Sequence, residues 1–280
     1  MKNKSSLAQK LCASPHMVWS AIFIVVPLIM VLYYAFTDSS GNFAGLGNFS
    51  IIEHYSSTFL LSLMMAFIAT IICLLIGYPL ALAISRTSPT MQKILIMLVM
   101  LPMWINFIIR TDSIAILLEK NGLINQLLGI FGMHVELMDT RFAVIVGMVY
   151  DFLPYMILPI YSVLTKLDIK LVEAARDLGC NSLQALFKVI VPLSVSGIVS
   201  GITMVFVPCV STFYISQRLG GANTYLIGDA IEARMLSISA DYNKGATLSF
   251  VLMILIVVST LIMNHYTDEE ESTATGGFMT

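Results

Sequence analysis

Six long stretches almost free of charged residues constrain the fold of this chain more than any other feature. They cover residues 11–37, 54–85, 94–109, 142–165, 189–217 and 245–267. A helix needs about 20 apolar residues to cross the hydrocarbon core of a bilayer. Four stretches meet this length outright. The fourth stretch qualifies if its one charged residue, Asp151, faces protein or water, and the short third must be irregular or continue past Arg110 and Asp112.

The composition agrees with a membrane protein. Hydrophobic residues make up 58% of the chain and charged residues only 11%, about half the charge of an ordinary soluble domain. So few charges could not cover the surface of a water-soluble fold of this size. The net charge of −2 argues against a nucleic-acid partner. We therefore predict an all-α fold with six membrane-spanning helices, near residues 17–36, 60–84, 94–117, 142–165, 189–215 and 247–265.

The distribution of lysine and arginine predicts the orientation. The segments 1–16, 85–93, 166–188 and 265–280 contain nine of these residues, whereas the longer segments 37–59, 110–141 and 215–246 contain six. Basic residues concentrate in cytoplasmic loops, so we expect both termini and the loop 166–188 in the cytoplasm. The organisation is then a cytoplasmic segment 1–16, a transmembrane domain 17–265, and an acidic cytoplasmic tail 266–280.

The loop 166–188 has the signals of two short helices. Asp168 can cap the first, and apolar residues recur within it at helical spacing. Gly179 stands where a helix C-terminus favours glycine. Asn181 and Gln184 have the spacing of a capping box for the second helix. The pattern alone is equally compatible with an amphipathic pair lying on the bilayer or on its own bundle, and with a docking surface for a cytoplasmic protein.

One motif in this loop resembles the EAA motif of permease subunits of type I ABC importers. Glu173, Ala174 and Ala175 are followed after three residues by Gly179, and Pro192 completes the pattern. Valine replaces the family's isoleucine and leucine just before the proline. Three further segments, LPMWINFIIRT, VIVGMVYDFLPYMILPIYSVLTKLD and RLGGANTYLIGDAI, are similar to the polyamine (spermidine and putrescine) branch of this family.

The resemblance implies a fold, partners and a location. The fold is the six-span permease of type I ABC importers, in the plasma membrane of a bacterium, and this chain forms half of a heterodimeric pore. The partners are a second permease subunit, two copies of an ABC ATPase and an extracytoplasmic polyamine-binding protein. ATP and magnesium are bound by the ATPase, so no cofactor is expected in this chain. Residues implied in coupling to the ATPase are Glu173, Ala174, Ala175, Asp177, Gly179 and Pro192.

Asp151 is the strongest candidate for a residue of the substrate pathway. A carboxylate within a membrane span is costly and by default functional. Tyr150 and Tyr155 lie near it in sequence, and Trp104 lies within another span. A carboxylate among aromatic rings suits an alkylammonium ion, through charge pairing and cation–π contact. The alternatives are a structural ion pair for Asp151 and core packing for Trp104. A local Arg110–Asp112 pair, or contact of these two residues with a partner, is also possible.

Other functions leave signatures that this sequence lacks. There is no phosphate-binding G-x-x-x-x-G-K-[ST] motif, and the histidines and cysteines have no metal-site spacing. We predict no catalytic residue, no metal site and no enzymatic activity. The alternatives to polyamine import are a permease for another small solute (ferric iron, sulfate, phosphonate or thiamine), an intramembrane enzyme, and a purely structural membrane subunit.

Overall fold

The computed structural model describes residues 15–130, 132, 135–237 and 240–276. All the long secondary-structure elements among these residues are helices. The predicted segment 1–16 therefore lies almost entirely outside the described residues, as does the end of the tail 266–280. The long helices are α1 (Pro15–Phe36), α2 (Ile51–Ser85), α3 (Pro89–Trp104), α4 (Phe107–Leu118), α5 (Leu123–Ile130), α6 (Arg141–Leu164), α7 (Ile169–Asp177), α8 (Ser182–Leu193), α9 (Val195–Ser211), α10 (Ile227–Leu236) and α11 (Tyr242–Gly276).

The described helices contain four to six candidate membrane spans, where six were predicted. Four are long and apolar enough to cross a membrane: α1, α2 with the turn before it, α6, and the first part of α11. Two bent pairs, α3 with α4–α5 and α8 with α9, bring the number to six if each pair counts as one span. The last helix does not end near residue 265 as predicted but continues to Gly276.

The third span is broken rather than continuous. Its two halves meet at an angle of 93°, which confirms the irregularity expected from its short apolar stretch and corrects the single helix 94–117. Ile105 has extended backbone angles, and the Asn106 side chain accepts a hydrogen bond of 2.9 Å from the Ile108 N–H. Pro102 lies just before the break. Because proline weakens a helix and asparagine starts one well, the chain stops and restarts here.

The fifth span is bent and is not a single continuous helix. We expected one helix over 189–215. Instead the helix bends by 70° between α8 and α9, at Ser194. Pro208 lies within α9. A π-helical turn over Leu186–Ile190 and then Pro192 come just before the bend. Both features distort the helical hydrogen bonds locally.

The described chain forms two compact units. The first comprises the residues up to Ser56 with Ala230–Ile254, and the Asn243 side-chain amide donates to the carbonyls of Tyr34 and Thr37 at the end of α1, at 3.1 and 2.7 Å. Asp241 caps the start of α11 through the Lys244 N–H, 3.1 Å away. Burial alone would raise the pKa of the Asp241 carboxyl, but the hydrogen bonds and charge of Lys244 hold this pKa below its usual value.

The second unit comprises Ser57–Asp229 and the residues from Leu255 onward. At its centre α6 packs against α9, where two glycines allow close approach. A Cβ atom at Gly197 would lie 3.0 Å from the Pro159 carbonyl oxygen, and one at Gly201 would lie 3.1 Å from that of Met156. Small residues four apart let helices approach closely within a membrane, so α9 lies close against α6 at these turns.

Candidate functional site

The helix α7 carries most of the motif residues and begins and ends as the sequence predicts. The Asp168 carboxylate accepts a hydrogen bond of 3.0 Å from the Lys170 N–H, which caps the first turn. Val172 is the one buried residue of the helix. Ile169 and Leu171 are about half exposed, at 52% and 45%. The helix is therefore anchored at one position and offers the rest of its surface outward.

Gly179 makes the corner after α7. Its φ angle of +90° lies in the left-handed region, which confirms the predicted conformation. The Cys180 N–H donates to the Ala175 carbonyl at 3.0 Å, and the Gly179 N–H donates to the Arg176 carbonyl at 2.9 Å. These two bonds are the Schellman arrangement that closes a helix C-terminus. Only glycine adopts this conformation without steric cost.

The helix α8 starts immediately after this corner. Asn181 and Gln184 form the predicted capping box, in which each side chain accepts a hydrogen bond from the other's backbone N–H, at 2.8 and 3.0 Å. Leu183 and Phe187 on this helix are 67% and 66% exposed. A hydrophobic surface of this kind, next to the exposed face of α7, is typical of an interaction site.

The EAA residues lie on the outward side of α7. Glu173 and Ala174 are exposed, as is Asp177, while Ala175 is partly covered. We expected Glu173 to accept hydrogen bonds at the corner or to pair with Arg176. Among the described residues no salt bridge or hydrogen bond joins these two side chains. Both side chains are solvated, where such a pair contributes little. Pro192 lies in the last turn of α8.

A concave surface separates this helical corner from the end of α2. It has a volume of about 520 Å³. Arg86 at the end of α2 and Arg176 of α7 contribute its positive charge, and Glu173 lies at the same surface. Apolar residues form most of the remainder: Leu82, Ile169, Val172, Leu183, Leu186 and Ile190.

Asp151 lies at the centre of a buried ion pair. It is fully buried on α6. One carboxylate oxygen accepts a hydrogen bond from Arg110 Nε at 2.5 Å, and the other accepts one from the Thr111 hydroxyl at 2.9 Å. Arg110 is only 5% exposed, and its Nη1 donates to the Pro102 carbonyl at 3.0 Å. The structural pairing considered for Asp151 is therefore present in this conformation.

Aromatic rings run past this ion pair. The Arg110 guanidinium lies over the Phe107 ring, 5.9 Å from its centroid. Phe107 in turn contacts Phe152, which contacts Tyr155, with centroid separations of 6.4 and 6.2 Å. The ring nearest the pair, Phe107, therefore faces a guanidinium supplied by the protein itself.

The other candidate pathway residues are more exposed than Asp151 or lie in the ring series beside it. Trp104 ends α3 at the break in the third span and is 70% exposed. It does not pack in the core of this chain, which was the alternative considered. Tyr150 is 37% exposed. Of the three predicted aromatic contacts, only Tyr155 belongs to the ring series beside the pair.

The proposed Arg110–Asp112 pair is wrong. Asp112 instead accepts hydrogen bonds from Arg218 Nε at 2.6 Å and from the Tyr214 hydroxyl at 3.2 Å. Residues two apart on a helix point in different directions, so Arg110 and Asp112 face different neighbours. Sequence reasoning missed the partnership of Arg110 with Asp151. The signal was present, since a charge of each sign lies in a separate predicted span.

The sequence matches a known family over almost its whole length. Residues 7–268 match the family described as binding-protein-dependent transport system inner membrane component. The spermidine/putrescine transport system permease protein PotB of Haemophilus influenzae is 38% identical, covering 95% of this chain and 96% of that protein. The PotB protein of Escherichia coli K12 is 36% identical, covering 87% and 92%.

Solved structures share the fold. A bacterial ABC transporter that imports the acidic polysaccharide alginate contains a chain with a TM-score of 0.67 and 19% identity, covering 91% of this chain and 93% of that one. The inward-facing MetNI methionine ABC transporter contains one with a TM-score of 0.55 and 19% identity, covering 79% and 95%. At these identities the likeness establishes the architecture and not the cargo.

Proposed function

Because this chain belongs to the family of binding-protein-dependent transport system inner membrane components, we propose that it is the membrane-spanning permease subunit of an ATP-driven importer of polyamines, spermidine and putrescine. The assignment of polyamines as the cargo rests on the near full-length similarity to two spermidine/putrescine permeases. The chain is a transport subunit of a bacterial inner membrane and not an enzyme.

The corner between α7 and α8 is the proposed contact with the ATPase. A coupling element must be rigid, so that movement of the ATPase is transmitted rather than absorbed. Both helices have capped ends, and the corner is closed by backbone hydrogen bonds. The element must also expose a surface, which Ala174, Leu183 and Phe187 supply. In this proposal two copies of the ATPase bind ATP and magnesium.

The orientation follows from the same assignment. If the corner contacts an ATPase, the loop 166–188 is cytoplasmic, as the distribution of basic residues predicts. Both termini are then cytoplasmic as well. The opposite side meets a polyamine-binding protein, and a second permease subunit supplies the other half of the pore.

The proposed pathway residues differ in how accessible they are to a substrate. Trp104 and Tyr150 have exposed rings that a passing alkylammonium ion could contact. Asp151 is enclosed by Arg110 and Thr111, so it can contact substrate only in a conformation in which Arg110 has moved. This geometry favours the structural pair over substrate contact for Asp151.

Uptake by the assembled complex tests the cargo. The complete importer, with this chain and its genomic neighbours, is reconstituted in vesicles with ATP inside and loaded binding protein outside. We expect accumulation of radiolabelled spermidine and putrescine that needs both ATP and the binding protein. Thiamine, sulfate, phosphonate and ferric iron serve as comparison cargoes. Uptake of one of these, with no uptake of either polyamine, would overturn the assignment.

A further inference from the structure

One side chain reaches across the break in the third span. The span stops at Trp104 and restarts at Phe107, turning by 93°. Within a bilayer, backbone groups left free at such a break need partners, because no water is available to them. The Pro102 carbonyl accepts from the Ile105 N–H at 3.2 Å and from Arg110 Nη1 at 3.0 Å. Arg110 therefore reaches back across the break to the end of α3.

The same guanidinium is tied to a third helix. Arg110 starts from α4 and pairs with Asp151 on α6. Asp151 is fully buried and is also held by Thr111. The neighbouring turns of α6 pack on the glycines of α9. The planar guanidinium presents several N–H donors in a fixed arrangement, so a single side chain can join the end of α3, the start of α4 and α6.

From these contacts, and resting on the proposed transport function, we infer that Arg110 is a positioning residue for the translocation route. It holds the bend of the third span and so fixes where Trp104 is presented. It acts through the backbone and contacts no substrate itself. The buried carboxylate of Asp151 anchors the guanidinium, and the Pro102 carbonyl transmits its position to α3.

The alternative is that Arg110 only neutralises a buried charge. Two variants separate these roles. Arg110→Met leaves the Asp151 carboxylate without its cation, so it disturbs both charge and position. The double variant Arg110→Met/Asp151→Asn buries no unpaired charge but still lacks the contact to Pro102. A simple neutralising role predicts that the double variant regains wild-type behaviour, whereas a positioning role predicts that it stays defective.

The bend can be measured directly. Met97 on α3 and Ile116 on α4 are exposed, at 52% and 58%, and both can be changed to cysteine after the native cysteines are replaced. Spin labels at these two positions in the assembled complex report the distance between the halves of the span. We expect this distance distribution to shift or broaden in Arg110→Met and in the double variant.

Uptake in the same complexes supplies the second readout. We expect the initial rate of spermidine uptake to fall about tenfold or more in both variants, because both lack the contact of Arg110 with the Pro102 carbonyl. Arg141→Met is the matched control. Arg141 lies exposed at the start of α6 and has no ion pair among the described residues, so this variant should resemble the wild type in both measurements.

A double variant with wild-type label distances and wild-type uptake would overturn the inference. The distance measurement needs no cargo, so it decides the role of Arg110 even if the importer carries another solute. Absence of polyamine uptake in the wild type would instead remove the proposed function and leave the bend measurement valid.

Discussion

Asp151 and Arg110 illustrate how a buried charge depends on its partner. Each is nearly or fully enclosed, and together they lie among apolar helices. Removing ions from water is expensive, and the attraction between them offsets this cost only while both are present. The uncharged hydroxyl of Thr111 donates a hydrogen bond to the same carboxylate. Loss of the Arg110–Asp151 ion pair should therefore lower the free energy of unfolding more than loss of the Thr111–Asp151 hydrogen bond.

Asp151→Asn is expected to destabilise the folded chain by about 3–5 kcal/mol, because it leaves the Arg110 cation buried without a counter-charge. Thr111→Val is the matched comparison. It removes one hydrogen bond to a charged group and keeps the shape, and it should cost about 1.5–3 kcal/mol. Thermal unfolding of the purified complex in lipid nanodiscs measures both. Equal unfolding midpoints for the wild type and Asp151→Asn would show that the pair does not stabilise the fold.

The helices α7 and α8 form the element whose geometry depends most on local rules. Their caps and the turn between them involve residues no more than five apart in sequence. A Cβ atom at Gly179 would meet no other atom within 4 Å. The constraint on this position is therefore the backbone angle of +90° and not crowding.

Gly179→Val should misdirect the corner, because a β-branched residue is strained at positive φ. We expect lower uptake and lower stimulation of ATP hydrolysis by the loaded binding protein, with normal insertion in the membrane. Gly179→Asn is the control, since asparagine tolerates the left-handed region far better. It should retain most of both activities. Equal activity of the valine and asparagine variants would mean that this corner does not transmit the ATPase movement.

At the scale of the whole molecule, the spans and their orientation decide which surfaces meet which partners. The described residues contain four to six spans. Most side chains of α1 are apolar and exposed within this chain, so lipid or a partner must cover them. The charge distribution indicates which end of the bundle faces the cytoplasm.

Lys170→Cys tests this orientation in a chain without its native cysteines. Lys170 is exposed on α7, so an impermeant thiol reagent should label it only after the cells are opened. A cysteine at Ser39 is the matched position, because this exposed residue lies just beyond the end of α1 on the predicted outer side. It should be labelled in intact cells. Labelling of position 170 in intact cells would show that the orientation is the reverse of the predicted one.

The sequence by itself determined the membrane class, the positions of the apolar spans and the local geometry of the motif loop. Long apolar stretches and the spacing of capping residues report interactions between near neighbours, so the capping roles of Asp168, Gly179 and Asn181 follow from the amino-acid order alone. Only the tertiary structure decided that the third span turns by 93°, and that the fifth bends at Ser194. It also decided that Arg110 meets Asp151, 41 residues away. Such pairings depend on how helices pack and rotate against one another, which the periodicity of a single helix does not specify.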